Sequence, residues 1–181
     1  MSSSKRIFIG TFIEIEDIDI HLTHIKKDFG GVISGRWVKR ENLHLTFKFI
    51  GNVPLENVWI IKEKLSNLLD IEIPVVMVLK GVGTFPNPRE PKVLYIKVEP
   101  NQVLIRIKEE VENVLFSLGF SKDIKPFIPH VTINRIKEAK TSQLLQKIEK
   151  YEKVKFGEQI KVKIDLIESI LNSSGTQYKP I

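Results

Sequence analysis

Apolar and polar positions alternate from Arg6 to Ile13 (RIFIGTFI), the period of a strand with one covered face. Ile18, Leu22, Ile25 and Phe29 then recur at helical spacing, and Gly30-Gly31 ends that helix. The stretch from Ile33 to Gly51 predicts two strands joined by a polar turn near Glu41-Asn42. Pro54 suits the first turn of a helix running to about Leu69, with Leu55, Val58, Ile61, Leu65 and Leu68 on one face. IPVVMVLKGVGTF and KVLYIKVE predict strands on either side of the Pro-rich loop 86–91. Asn101 is placed to cap a long helix whose stripe is Val103, Ile107, Val111, Val114 and Leu118, closed by Gly119. Thr141 is the expected cap of a short helix through Tyr151. The tail from Ile160 predicts a long strand, a Ser-Gly turn and a final strand.

One feature of the pattern repeats. Shifted by 86 positions, the segment from His44 lies over the segment from His130: His44 meets His130, Thr46 meets Thr132, and Ile50 meets Ile136. Both segments read as a strand followed by a helix, which implies two similar lobes related by an approximate two-fold. No linker divides them.

Each repeat opens with His-x-Thr, and so does a third stretch, His21 to Thr23. Four histidines and seven threonines scattered at random in 181 residues would rarely meet this way. On a strand, residues two apart share a face, so His44 with Thr46, and His130 with Thr132, point together while Leu45, Phe47, Val131 and Ile133 enter the core. His21 and Thr23 fall in a helix, where residues two apart face different ways. That pair is a decoy on a solvated surface. Two imidazoles with two hydroxyls suit phosphoryl chemistry without a metal. One neutral histidine takes a proton from the nucleophile, one protonated histidine gives one to the leaving oxygen, and the hydroxyls donate to phosphate oxygens.

Composition narrows the classes. Hydrophobic residues at 42% and charged residues at 28% describe an ordinary soluble protein, and no apolar run approaches the length of a membrane span. The absence of a signal-peptide pattern in MSSSKRIFIG leads to a cytoplasmic expectation. With no cysteine, disulfides, thiolate catalysis and cysteine-ligated zinc are excluded. Many Lys, Glu and Ile lean toward a thermophile. A net charge of +6 and a pI near 9.4 favour a polyanionic partner such as RNA.

The paired His-x-Thr strands resemble those of the two-histidine phosphoesterases. More narrowly, RENLHLTFKFIGNV, GVGTFPNPREPKVLYIKV and KPFIPHVTINRIK are similar to the RNA 2′,3′-cyclic phosphodiesterases, also labelled 2′-5′ RNA ligases. The likeness runs from RIFIG to the C-terminal strand. It implies one bilobal α+β domain over residues 1–181, with two pseudo-two-fold-related antiparallel sheets lining a central cleft and helices packed outside. It also implies metal-independent opening of 2′,3′-cyclic phosphate ends, with no cofactor. By position it carries catalytic roles onto His44 and His130, with His44 the proton donor and His130 the base, so that the 3′-oxygen leaves and a 2′-phosphate results. Thr46 and Thr132 take phosphate contacts, and Arg135 a phosphate or ribose contact. Strand parity argues against Arg135, which shares parity with Val131 and Ile133.

Arg36 beside Trp37 is a candidate for RNA backbone or base contact, against an ordinary surface pair, and the loop FPNPREP is a candidate substrate-facing segment. The expected partner is RNA with a 2′,3′-cyclic phosphate end, met by a monomer away from membranes. Competing functions are 2′-5′ RNA ligation at the same site and a non-catalytic module that binds RNA termini. Permanently charged Arg or Lys would serve binding better than histidine, which disfavours the module. A metal hydrolase lacks a three-ligand set.

Overall fold

The alternating N-terminal run forms strand β1 (Ser4–Phe12), but both of its faces are covered: Ile7, Phe8 and Ile9 are all fully buried. The structure is a computed structural model that describes residues 3–173 and 175–181. Helix α1 (Ile18–Phe29) buries Ile18, Leu22, Ile25 and Phe29, the four positions its spacing marks. Strand β2 (Ile33–Trp37), a single 3-10 turn at Arg40–Asn42 and strand β3 (His44–Pro54) follow. Helix α2 is Leu55–Lys64, shorter than expected, because the chain passes into turns before Leu65 and Leu68, which are nevertheless buried. Strands β4 (Glu72–Phe85) and β5 (Val93–Val98) pair as an antiparallel hairpin.

Helix α3 (Gln102–Ser117) starts where Asn101 accepts a hydrogen bond from the Val103 amide at 2.8 Å. Its buried stripe is Leu104, Ile107, Lys108, Val111 and Leu115, rotated from the expected one because a paired lysine takes an inward position. Strand β6 (His130–Ala139) leads to helix α4 (Thr141–Tyr151), whose N-cap is Lys140 and not Thr141. The tail is not one long strand. It breaks at Ile164 between β7 (Lys155–Lys163), which pairs with β4, and β8 (Asp165–Asn172), which pairs with β1. The final strand β9 (Gly175–Pro180) pairs back on β8.

The strand order is β7-β4-β5-β6-β3-β1-β8-β9, with β2 added beside β6. The two expected sheets are therefore joined into one antiparallel sheet of nine strands. The joint is the register pair Leu45–Val131 between β3 and β6. Both residues are fully buried, as are Phe47 and Ile133, so one face of the seam packs into the core with α2 and α3 against β3. That burial fixes the register, since a one-residue slip would turn every motif side chain over.

Candidate active site

With Leu45 and Val131 turned inward, their neighbours in each strand turn outward. Continuing the antiparallel register from that pair sets His44 beside Thr132 and Thr46 beside His130, all four on the opposite face. The histidines thus occupy one diagonal of the quartet and the threonines the other.

The two imidazoles are oriented by the same local device. The Nδ1–H of His44 donates to the Asn42 carbonyl at 2.7 Å, and that of His130 donates to the Ile128 carbonyl at 2.8 Å. A carbonyl oxygen only accepts, so Nδ1 carries the proton and the neutral ring is left with a free lone pair on Nε2. Either ring can therefore take a proton at Nε2, and give it back once charged.

Aromatic rings wall both histidines. Tyr178 lies edge-on to His44 at 4.6 Å between centroids, and Phe8 packs at 4.8 Å. Phe85 and Tyr95, stacked on each other at 4.3 Å, stand 4.8 and 5.2 Å from His130. Gly83 makes room for Tyr95, since a Cβ there would come within 2.6 Å of the ring. Burial pushes the His44 pKa down to about 4; the Asn42 carbonyl offsets part of this, while the positive charges of Arg135 and His130 add to it. His130 is shifted down as well, by burial and against the pull of the Ile128 carbonyl. Burial thus disfavours the charged form of both rings.

Arg135 reaches this face because the strand period is broken. Along β5, Leu94 pairs with Asn134 but Tyr95 pairs with Thr132, so Ile133 is an extra, bulged residue. Ile133 and Asn134 are both fully buried, and Arg135 emerges on the side of Thr132. The parity argument against Arg135 fails at that bulge. The first repeat carries the same device: Gly10 pairs with Thr46 and Ile9 with Lys48, leaving Phe47 bulged and both Phe47 and Lys48 buried. The two-fold breaks at the next position, where Phe49 stands in place of Arg135 and packs 5.2 Å from Phe8.

Two features escaped the sequence. Buried Asn42 does more than shape a turn. Its Nδ2 donates to the Thr176 carbonyl at 2.9 Å and its Oδ1 accepts from the Tyr178 amide at 3.2 Å, which draws the β8–β9 hairpin over His44. Lys48 donates to Glu112 at 3.0 Å, to the Ser121 carbonyl at 2.8 Å and to Asp123, tying β3 to α3 and to the loop that leads into His130. The decoy pair lies outside the cleft: His21 packs edge-on against Phe156 at 5.6 Å, and Thr23 bonds the Asp19 carbonyl within its own helix. Among the described residues, no three His, Asp or Glu side chains are grouped to hold a metal ion. No helix among them is long and apolar enough to cross a membrane.

A strand seam that presents two His-x-Thr pairs defines the two-histidine phosphoesterase class. The chain belongs to the LigT-like phosphoesterase family, whose model matches it twice in succession, over residues 13–95 and 96–175, once for each half. A protein of Aquifex aeolicus named RNA 2′,3′-cyclic phosphodiesterase is 35% identical over 175 residues, 96% of this chain and 93% of that one. One of the same name from Archaeoglobus fulgidus is 34% identical over 176 residues, 97% of each. A crystal structure of a Thermus thermophilus protein, 26% identical, superposes with a TM-score of 0.78 over 97% of this chain and 94% of that one.

Proposed function

We propose that this protein is a cyclic phosphodiesterase that opens RNA 2′,3′-cyclic phosphate ends to 2′-phosphates, within a single two-lobed unit. The diagonal quartet of His44, Thr132, Thr46 and His130 across the Leu45–Val131 seam carries the proposal, and the names of the relatives agree with it. Water attacks phosphorus on the side away from the ribose 3′-oxygen. His130 Nε2 takes the water proton as the new P–O bond forms. His44, protonated on Nε2, gives that proton to the 3′-oxygen as the old P–O bond breaks. The products are a 2′-phosphate and a 3′-hydroxyl, and the two rings exchange protons with solvent to reset. Thr46, Thr132 and Arg135 bind the non-bridging oxygens, where charge accumulates in the transition state.

The free site is poorly protonated, so the anion itself must recruit the acid. A phosphate beside Arg135 offsets the repulsion that helps keep His44 neutral, and proton uptake accompanies binding. The test is hydrolysis of a 2′,3′-cyclic-phosphate-ended oligonucleotide in EDTA. A 2′-phosphate product formed at an undiminished rate is expected; loss of activity restored by a divalent ion, or a 3′-phosphate product, would contradict the mechanism.

A further inference from the structure

Arg36 on β2 stands directly opposite Arg135 on β6. Like charges facing each other across strands repel, and neither guanidinium joins an ion pair among the described residues. Gly35 permits the close approach of the two strand backbones, since a Cβ there would lie 2.2 Å from the Arg135 carbonyl oxygen. Two arginines in register on neighbouring strands, neither paired with a carboxylate among the described residues, make this edge of the sheet a place for an anion.

Both arginines line a cavity of about 390 Å³ between β2 and the β8–β9 hairpin, within the size range of small-ligand pockets. Trp37, Lys39, Gln177 and Tyr178 contribute to its walls. The cavity's one carboxylate, Glu41, lies 3.9 Å from Lys39. Cations, two half-buried aromatic rings and amides suit a nucleotide, with its charged linkage and flat base.

None of the four motif side chains lines the cavity, but its walls include residues that surround His44. Tyr178 touches His44, Asn42 holds the His44 ring, and Arg135 lies close enough to His44 to lower its pKa. Neither Phe85 nor Tyr95, which wall His130, lines it. With His44 at the leaving ribose oxygen, the space beyond it belongs to that ribose and to the chain on its 5′ side. An attacking water, or a 5′-hydroxyl in its place, comes from the His130 side. We propose that this cavity is the subsite for the nucleotide immediately upstream of the cyclic end. Arg36 takes the linking phosphodiester while Arg135 holds the cyclic phosphate, and Trp37 and Tyr178 flank the base. The proposal rests on the cyclic phosphodiesterase reading and on His44 as its proton donor.

The test compares kcat/KM for three probes: a nucleoside 2′,3′-cyclic phosphate, a dinucleotide ending in one, and the same dinucleotide with an uncharged methylphosphonate linkage. The charged dinucleotide should exceed the other two by about tenfold, worth roughly 1.4 kcal/mol. Arg36→Gln should abolish that preference while the mononucleotide rate reports a folded site, and Trp37→Leu should reduce it. Equal rates on all three, or a preference that survives Arg36→Gln, would overturn the subsite. So would a variant impaired only in joining a 5′-hydroxyl acceptor, since the cavity would then lie on the attacking side. No turnover of any probe would instead sink the phosphodiesterase reading beneath it.

Discussion

Leu45 lies opposite Val131, and that pair sets the relative position of both His-x-Thr motifs. Each residue is fully buried, so the joint between the halves is also part of the core. Leu45→Ala should cost about 2–5 kcal/mol, the range for emptying a leucine site in a packed interior, and should lower kcat along with stability. Chemical denaturation with kinetics on the folded fraction measures both. Unchanged stability would mean that the seam does not hold the lobes in register.

Thr46→Ala and Thr132→Ala should each slow turnover by roughly 10- to 1000-fold, the cost of removing one donor that strengthens in the transition state. His21→Ala, with the same local sequence pattern but a ring against Phe156, should change the rate little. A large kinetic defect at His21 in a protein of normal stability would place it in the site.

The pH dependence follows from the two depressed histidines. His44, at about 4, and His130, also shifted down, favour the neutral form in the free enzyme near pH 7, while the proposed mechanism needs one of them charged. kcat/KM reports the free enzyme, so its bell should peak on the acid side of neutrality and fall as pH rises. kcat reports the complex, in which the phosphate favours the charged ring, and its upper limb should lie at higher pH. A kcat/KM maximum above the ordinary histidine pKa of 6.5 would contradict this. Stability carries the same signature: between 6.5 and about 4 the unfolded chain binds a proton that folded His44 refuses, so stability falls as pH drops through that window. His44→Asn should flatten that slope.

Lys48 is nearly fully buried among Glu112, Asp123 and the Ser121 carbonyl. Lys48→Met should destabilise by roughly 1–3 kcal/mol, below the cost of breaking a fully buried pair, because Asp123 is half exposed and Glu112 keeps Lys108. Despite the opposing effect of burial, Glu112 is held below the ordinary carboxylate range by the Asp123 amide and then by Lys108 and Lys48, and Asp123 by Lys108 and Lys48, so the network's contribution is present above that range and lost as pH falls through it. Acid titration of wild type and Lys48→Met should converge at low pH; parallel curves would show that the network does not carry the difference.

Periodicity revealed the motif strands, α1 and the repeat because each buries one regular face. It failed where the face changes by one residue. The bulges at Phe47 and Ile133 leave no compositional mark, yet they turn Lys48 and Asn134 inward and bring Arg135 to the cleft. The apolar stripe of helix α3 misleads because Lys108 is buried through charge pairing, which hydropathy counts as exposure. Asn42 and Tyr178, 136 residues apart, meet only when the C-terminal hairpin folds back, a contact that no local pattern encodes.

Unequal roles for His44 and His130 are most directly tested with a cyclic phosphate bearing sulfur at the 3′ position, whose leaving group needs little protonation. Measured by single-turnover kinetics on His44→Ala and His130→Ala, this substrate should restore much of the rate lost in the first variant and little of that lost in the second. Rescue of the His130 variant instead would invert the assignment, and rescue of neither would contradict acid–base catalysis by the pair.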